Sequence, residues 1–121
     1  MTLSECYAAL GGDYEEVLGR LRTESLVQKF VLKFPSDPSF RLLEDSLSAE
    51  NWSEAFRGAH TIKGVCQNLS FTALYRSSAL LCEDLRNGSA TPQTAQLAAQ
   101  VREDYRRTVD AIDVFGAALP V

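Results

Sequence analysis

Apolar side chains recur at intervals of three and four residues along most of this chain, and this spacing constrains its fold more than any other feature. A clear case runs from Leu26 to Phe34, just before Pro35. Such intervals place side chains on one face of an α-helix, whereas a half-buried strand needs strict alternation. Sustained alternation of β-branched residues is missing from the sequence. The pattern therefore predicts an all-α protein.

Start and stop signals divide the chain into successive helices. The first is expected from Thr2 to Leu10 and ends at Gly11-Gly12, because glycine readily closes a helix. The central helix is predicted from Asn51 to about Leu69, and the next from Phe71 to Leu85. Side chains that can cap a helix N-terminus precede the later segments: Asp13, Thr23, Asp37 followed by Pro38, Asn51 with Glu54 three residues on, and Thr91 followed by Pro92.

Amphipathic helices joined by short connections favour a helical bundle. With 121 residues the chain is long enough to bury its own core, so we predict a single domain over residues 1–121. We expect an up-and-down four-helix bundle with a short additional N-terminal helix. The three longest segments, all after Asn51, supply three helices of the bundle. The segment from Thr23 to Leu47, folded as a pair, supplies the fourth.

The bulk composition limits the classes of partner. The net charge of −4 argues against nucleic acids and anionic membranes, which both need a basic surface. No apolar run approaches the roughly 20 residues of a membrane-spanning helix, and no basic segment at the N-terminus suggests a signal peptide. The three cysteines form no CxxC pair and indicate buried free thiols in a reducing compartment. We expect a cytoplasmic monomer.

The only histidine, His60, is predicted to lie on the exposed face of the central helix. At about 100° per residue, one side of this helix gathers the apolar residues, and His60 lies roughly 120° from the centre of that stripe. Arg57, Gly64 and Gln67 share its sector, and Lys63 lies at the boundary. The apolar side predicted to face the core contains Trp52, Ala55, Phe56, Ala59, Ile62, Cys66 and Leu69.

These neighbours suit an imidazole that acquires a phosphoryl group. Lys63 and Arg57 would neutralise the new oxygens through charge-assisted hydrogen bonds, and Gln67 can bond the same group or fix a ring tautomer. A mid-helix glycine such as Gly64 costs about 1 kcal/mol relative to alanine. That cost is tolerated most readily where another surface approaches closely. The competing interpretation is a lone helical histidine with only a packing role.

Other chemistries have less support. The central helix offers no second metal ligand three or four residues from His60, so no metal site is predicted. A Cys–His nucleophile pair needs a thiolate on the histidine's face, whereas Cys66 is predicted to face the core. Ser53 lies too far along the helix for a Ser–His pair. No phosphate-binding glycine motif occurs, and carboxylate pairs such as Glu83-Asp84 are interpreted as solvated helix surfaces.

The stretch from Ala59 to Gly64, with Asn68-Leu69 after it and Asn51-Trp52 and Ala55-Phe56-Arg57 before it, resembles the signature of histidine-containing phosphotransfer (HPt) domains. In this resemblance His60 matches the phospho-accepting residue, Lys63 its basic neighbour and Gly64 the glycine. Two positions depart from the family pattern. Ser70 stands where the family usually has glycine, and we expect it to cap the next helix. Val65-Cys66 replaces residues that are more often small.

The resemblance implies a four-helix bundle that shuttles phosphoryl groups in two-component phosphorelays. His60 would accept a phosphoryl group at Nε2 from a receiver aspartate or a kinase and pass it to another receiver. The partners would be response-regulator receiver domains and a sensor or hybrid histidine kinase. The domain would be a carrier and no enzyme, without cofactor or nucleotide site, because the receiver supplies Mg²⁺. The alternative is a non-catalytic helical adaptor, or a degenerate HPt domain that docks partners without carrying phosphate.

Overall fold

The computed structural model describes residues 1–120, and every regular element in that range is a helix. The all-α prediction is confirmed. The α-helices are α1 (Leu3–Leu10), α2 (Tyr14–Leu21), α3 (Glu24–Lys33), α4 (Ser39–Ser48), α5 (Trp52–Leu69), α6 (Thr72–Asp84) and α7 (Thr94–Ala117), with a 3₁₀ turn at Phe34–Ser36 between α3 and α4. None of these helices is both long enough and apolar enough to span a bilayer.

Helix α5 occupies the middle of the bundle. It packs against α4 on one side and α6 on the other, and α6 packs in turn against α7. The pair α3–α4 supplies the remaining part of the bundle, because α3 touches both α5 and α7. The short N-terminal helix α1 packs along α7, and α2 connects it to α3. This arrangement exposes only one face of α5.

Buried aromatic side chains fix the C-terminal half of α5 against its neighbours. The Tyr7 hydroxyl donates a hydrogen bond of 2.8 Å to the carbonyl oxygen of Leu69, where α5 ends. The Tyr7 and Phe71 ring centroids are 5.6 Å apart, and Phe34 meets Phe71 edge to face at 5.1 Å. Aromatic pairs in these geometries add to the energy of burial. The contacts therefore tie α1, α5, α6 and the 3₁₀ turn together.

Most predicted N-caps form. The side chains of Asp13, Thr23 and Asn51 each accept a hydrogen bond from the backbone N–H three residues on. Asp37 accepts one from the N–H of Ser39 at 2.8 Å. These bonds satisfy backbone donors that have no partner within the helix. The sequence thus placed the starts of α2 to α5 correctly.

Two details of capping were wrong. Glu54 does not complete a capping box with Asn51, because its carboxylate binds the Arg57 guanidinium at 3.1 Å instead. The last helix begins at Thr94, two residues later than Pro92, where a cap at Thr91 would start it. Both threonine hydroxyls donate to the carboxylate of Asp84 at the end of α6. Asp84 therefore joins α6 to α7 and is not only the solvated surface residue we expected.

Ser70 does not cap α6 as predicted. It ends α5 in the left-handed conformation, with φ of 56°, a conformation that glycine adopts most readily. Its hydroxyl donates to Glu16 at 2.7 Å and accepts from Arg20 at 3.0 Å. Arg20 also donates to the carbonyl oxygens of Gln67 and Asn68. Side chains from α2 thus stabilise the C-terminal end of α5, where Ser70 ends the helix.

A glycine allows α4 to approach α5 closely. A Cβ atom on Gly58 would lie 3.2 Å from both the Cα and the Cβ atom of Leu43 in α4. This is closer than ordinary van der Waals contact, so a larger side chain would push the two helices apart. Leu43 is itself buried. Gly58 is therefore a packing residue, a role that the sequence did not reveal.

Candidate functional site

The structure places His60 on the exposed face of α5, as the helical periodicity predicted. The residues of the opposite face are buried: Ala55, Ala59, Ile62, Cys66 and Leu69. Trp52 and Phe56 differ from the prediction, since they are only half-buried. Both lie near the N-terminal end of α5, at the edge of the apolar stripe. Phe56 consequently stands beside the histidine and not beneath it.

The imidazole of His60 has an inner and an outer edge. Its Nδ1 atom lies 4.0 Å from the Sγ atom of Cys82, on α6, and Cys82 is only 1% exposed. The Phe56 ring, one turn earlier, lies at 22° to the imidazole with centroids 6.2 Å apart. His60 is an exposed residue, and among the described residues only its Nδ1 atom has a hydrogen-bond partner, whereas Nε2 has none.

Cys82 is a buried partner for this ring. Burial raises the pKa of the Cys82 thiol above its ordinary value, while the positive charges of Lys63 and Arg86 oppose that shift. The thiolate is the nucleophilic form of cysteine, so the burial of Cys82 and its raised pKa both work against a Cys–His nucleophile pair. From the sequence, only Cys66 was considered as a thiol partner for His60. Cys82 could not be predicted, because it faces the ring only through the way α6 packs on α5.

Positive charge lies on the α6 side of the histidine. Lys63 is half-buried on α5. Hydrogen bonds from Arg86 are the main cause of the lowered pKa of Glu83, and the charge of Lys63 lowers that pKa further. Arg86 donates to Glu83 at 2.7 and 2.9 Å, and its guanidinium lies 5.9 Å from the centroid of the Phe56 ring. Arg86 was not predicted as a site residue. It lies in the turn just after α6, two residues beyond Asp84, so helical periodicity does not relate it to Cys82.

Arg57 and Gln67 do not join the histidine in this structure. The Arg57 side chain is 75% exposed and pairs with Glu54, one turn before His60. Gln67 lies two turns after His60, on a surface groove that it shares with Glu16 and Arg20. Within residues 1–120 no hydrogen bond links either side chain to the imidazole. Their support of a phosphoryl group stays a prediction.

Gly64 lies in open space one turn after His60. A Cβ atom on Gly64 would have no neighbouring atom within 4 Å. The contrast with Gly58 on the same helix is direct, because Gly58 meets α4 and Gly64 meets nothing in the fold. No contact among the described residues therefore requires a glycine at position 64. A requirement, if there is one, comes from a molecule that approaches from outside.

An apolar groove lies between α2, α3 and α5. It has a volume of about 350 Å³, and Val65, the residue after Gly64, forms part of its wall. Phe30, another lining residue, is 40% exposed although it is a large apolar residue. The apolar lining consists of Leu21, Phe30, Phe34, Val65 and Leu69, and the polar lining of Arg20, Lys33, Asp37 and Asn68.

The described residues hold no group of three histidine, cysteine or carboxylate side chains close enough to bind a metal ion. Among these residues His60 has one hydrogen-bonding partner, Cys82, and one neighbouring ring, Phe56. An exposed imidazole in such an arrangement can act as a nucleophile.

Comparison with protein families identifies the class. The family model of the Hpt domain matches residues 25–112, which include α5 and α6 and all the residues around His60. Searches of curated proteins and of solved structures return no match. Because the match covers most of the chain, this protein belongs to the Hpt domain family. Members of that family are phosphotransfer modules of two-component signalling and interact with receiver domains and kinases.

Proposed function

We propose that this protein is a phosphoryl carrier of a phosphorelay, with Nε2 of His60 as the atom that bears the phosphoryl group. The observation that carries the proposal is the orientation of the imidazole. Its Nδ1 atom lies 4.0 Å from the buried Cys82 sulfur while the side chain as a whole is exposed, so Nε2 is the nitrogen that we infer is open to a partner. Family membership supports the same chemistry.

The chemical step needs little from this chain. The lone pair of Nε2 attacks the phosphorus of a receiver aspartyl phosphate, the P–O bond to the aspartate breaks, and the carboxylate leaves with the electron pair. Catalysis of such transfers is mostly positioning and charge stabilisation. The receiver supplies Mg²⁺ and its carboxylate ligands. Lys63 supplies positive charge for the phosphoryl oxygens, so the carrier needs no cofactor and no nucleotide site.

The partner surface combines Gly64 and the adjoining groove. Gly64 lets a receiver loop approach the α5 backbone, and the apolar groove that contains Phe30 and Val65 provides area to bury. Transient signalling contacts are small and combine an apolar centre with a polar rim. We therefore propose response-regulator receivers, and a sensor or hybrid histidine kinase upstream of them, as the partners of a cytoplasmic monomer.

A two-way transfer experiment tests this function. The protein is mixed with a receiver carrying labelled aspartyl phosphate and Mg²⁺, then purified and mixed with a second, unlabelled receiver. The expected result is a label on this protein that is stable in base and labile in acid, and that moves to the second receiver. His60→Gln should accept no label while retaining its helical circular dichroism spectrum.

The outcomes separate the two functions considered for this chain. Label that enters the wild type and leaves again supports a carrier. A wild type that binds the receivers but takes no label from any of them contradicts the proposal and favours a docking adaptor. Label that persists in the His60→Gln variant contradicts His60 as the acceptor.

A further inference from the structure

The contact between His60 and Cys82 is exclusive for both side chains. Among residues 1–120, neither the His60 ring nor the Cys82 sulfur has another hydrogen-bond partner. The Cys6 sulfur instead donates to the carbonyl oxygen of Ala111 at 3.6 Å, and the Cys66 sulfur makes no hydrogen bond among the described residues. Of the three cysteines, Cys82 is therefore the one that faces an imidazole.

The state of Nδ1 decides whether Nε2 can react. A neutral imidazole carries one proton, and the nitrogen that carries it has no free lone pair. Attack through Nε2 therefore requires the tautomer with the proton on Nδ1. A hydrogen-bond acceptor that faces Nδ1 stabilises this tautomer. In metal-bound and catalytic histidines, the group that bonds one ring nitrogen commonly selects the tautomer in this way.

We propose that Cys82 is a positioning residue for His60, whose sulfur accepts the Nδ1–H hydrogen bond and so holds the ring in the reactive tautomer with Nε2 outward. The inference rests on the proposed function of His60. Phe56 assists from the side, because its nearly parallel ring limits rotation of the imidazole away from α6.

The same contact persists through the transfer. When Nε2 attacks the phosphorus of an acyl phosphate, the P–O bond breaks and the carboxylate takes its electron pair. The ring becomes a cation that keeps its proton on Nδ1, so no base is needed to remove a proton. Cys82 then accepts a hydrogen bond from a charged donor, and such bonds are stronger than neutral ones. The thiol remains protonated, since burial raises its pKa.

Nitrogen NMR of the unphosphorylated protein tests the tautomer directly. His60 is the only histidine, so its two ring nitrogens give unambiguous signals. In the wild type at a pH where the ring is neutral, the protonated nitrogen should be Nδ1. In Cys82→Ala the population should move toward the tautomer with the proton on Nε2. Cys66→Ala is the matched control, because it removes a buried thiol of α5 that does not contact His60.

Rates with a small phosphoryl donor supply the second measurement. Phosphoramidate needs no docking surface, so it reports on the nucleophile alone. Loss of one hydrogen bond should slow labelling by Cys82→Ala about threefold. Labelling from a phosphorylated receiver should slow by the same factor. Cys82→Val, which refills the space without a hydrogen-bonding atom, should match Cys82→Ala, and Cys66→Ala should match the wild type.

Two results would overturn the proposal. One is a wild-type ring protonated on Nε2, which would show that the thiol donates to Nδ1. The other is an unchanged tautomer and rate in both Cys82 variants, which would leave Cys82 a packing residue. Failure of the proposed function looks different: no protein, wild type included, would be labelled by a phosphorylated receiver, whereas the NMR result for the ring and labelling by phosphoramidate would stand.

Discussion

The Sγ atom of Cys82 lies 4.0 Å from the Nδ1 atom of His60, so α6 contacts the inner edge of the imidazole and leaves the outer edge to solvent. The orientation of the only histidine thus depends on a neighbouring helix as well as on α5. Around this pair the structure places an aromatic ring, Phe56, and two cations, Lys63 and Arg86. His60, Cys82 and these three side chains together form the candidate site.

Gly64→Gln should block transfer without unfolding the protein. A side chain at position 64 meets no atom of the fold, so it occupies space that a receiver would need. We expect labelling from a receiver to fall at least tenfold, roughly the loss of one or two kcal/mol of contact, while labelling by phosphoramidate changes little. Gly19→Gln is the matched control, because Gly19 is also helical, exposed and free of neighbours. Equal rates for the two variants would contradict the close-approach argument.

Gly58→Ala should destabilise the fold, in contrast to Gly64→Ala. The new Cβ atom at position 58 would lie 3.2 Å from the backbone of Leu43 and would force α4 away from α5. Overpacking of this kind lowers the free energy of unfolding by about 1 to 2 kcal/mol. Gly64→Ala should raise it by up to about 1 kcal/mol, since alanine favours helix. Urea denaturation measures the free energy of unfolding of both variants. Changes of the same sign in the two variants would contradict this prediction.

Lys63→Gln should slow phosphorylation more than Arg57→Gln. Lys63 lies on the α6 side of His60, where its charge reaches Cys82 and Glu83, whereas Glu54 already neutralises Arg57. We expect a loss of about tenfold for Lys63→Gln, the scale of one charge-assisted hydrogen bond. The difference should shrink at high salt. The measurement is the initial labelling rate of each variant. A larger loss of rate for Arg57→Gln than for Lys63→Gln would contradict the prediction.

The buried thiols should make the fold less stable in alkali. Burial raises the pKa of Cys6 to about 11, and it raises that of Cys66 as well. An acid whose pKa is higher in the folded state stabilises the fold below its unfolded pKa, and that contribution is lost as pH rises. The free energy of unfolding should therefore fall above about pH 9. Cys6→Ala should show a smaller fall in urea denaturation between about pH 8 and about pH 10, and identical falls would contradict this cause.

Local signals in the sequence predicted much of this fold. Cap residues such as Asp13 and Asn51 act over three or four residues, so their hydrogen bonds could be anticipated without tertiary structure. The same holds for the exposure of His60, which follows from the periodicity of α5 alone. The start of α7 predicted from Thr91 was wrong. The Thr91 hydroxyl bonds Asp84, and the helix begins only at Thr94.

The rest of the site depends on contacts between helices. Cys82 contacts the histidine, and Arg86 lies over the Phe56 ring, only because of how α6 packs against α5. Gly58 and Gly64 look alike in sequence, and only the position of Leu43 shows which one packs. Ser70 closes α5 in the left-handed conformation, and its hydroxyl bonds Arg20 and Glu16, some fifty residues earlier. No local pattern encodes these relationships.

The chemical bond at His60 provides the most direct test of the account. Protein labelled uniformly with nitrogen-15 is phosphorylated by a receiver, and phosphorus–nitrogen coupling is measured by NMR in base, where phosphohistidine is stable. We expect coupling of one phosphorus to Nε2 of His60 and none to Nδ1. A phosphorus coupled to Nδ1, or a label on any residue other than His60, would contradict it.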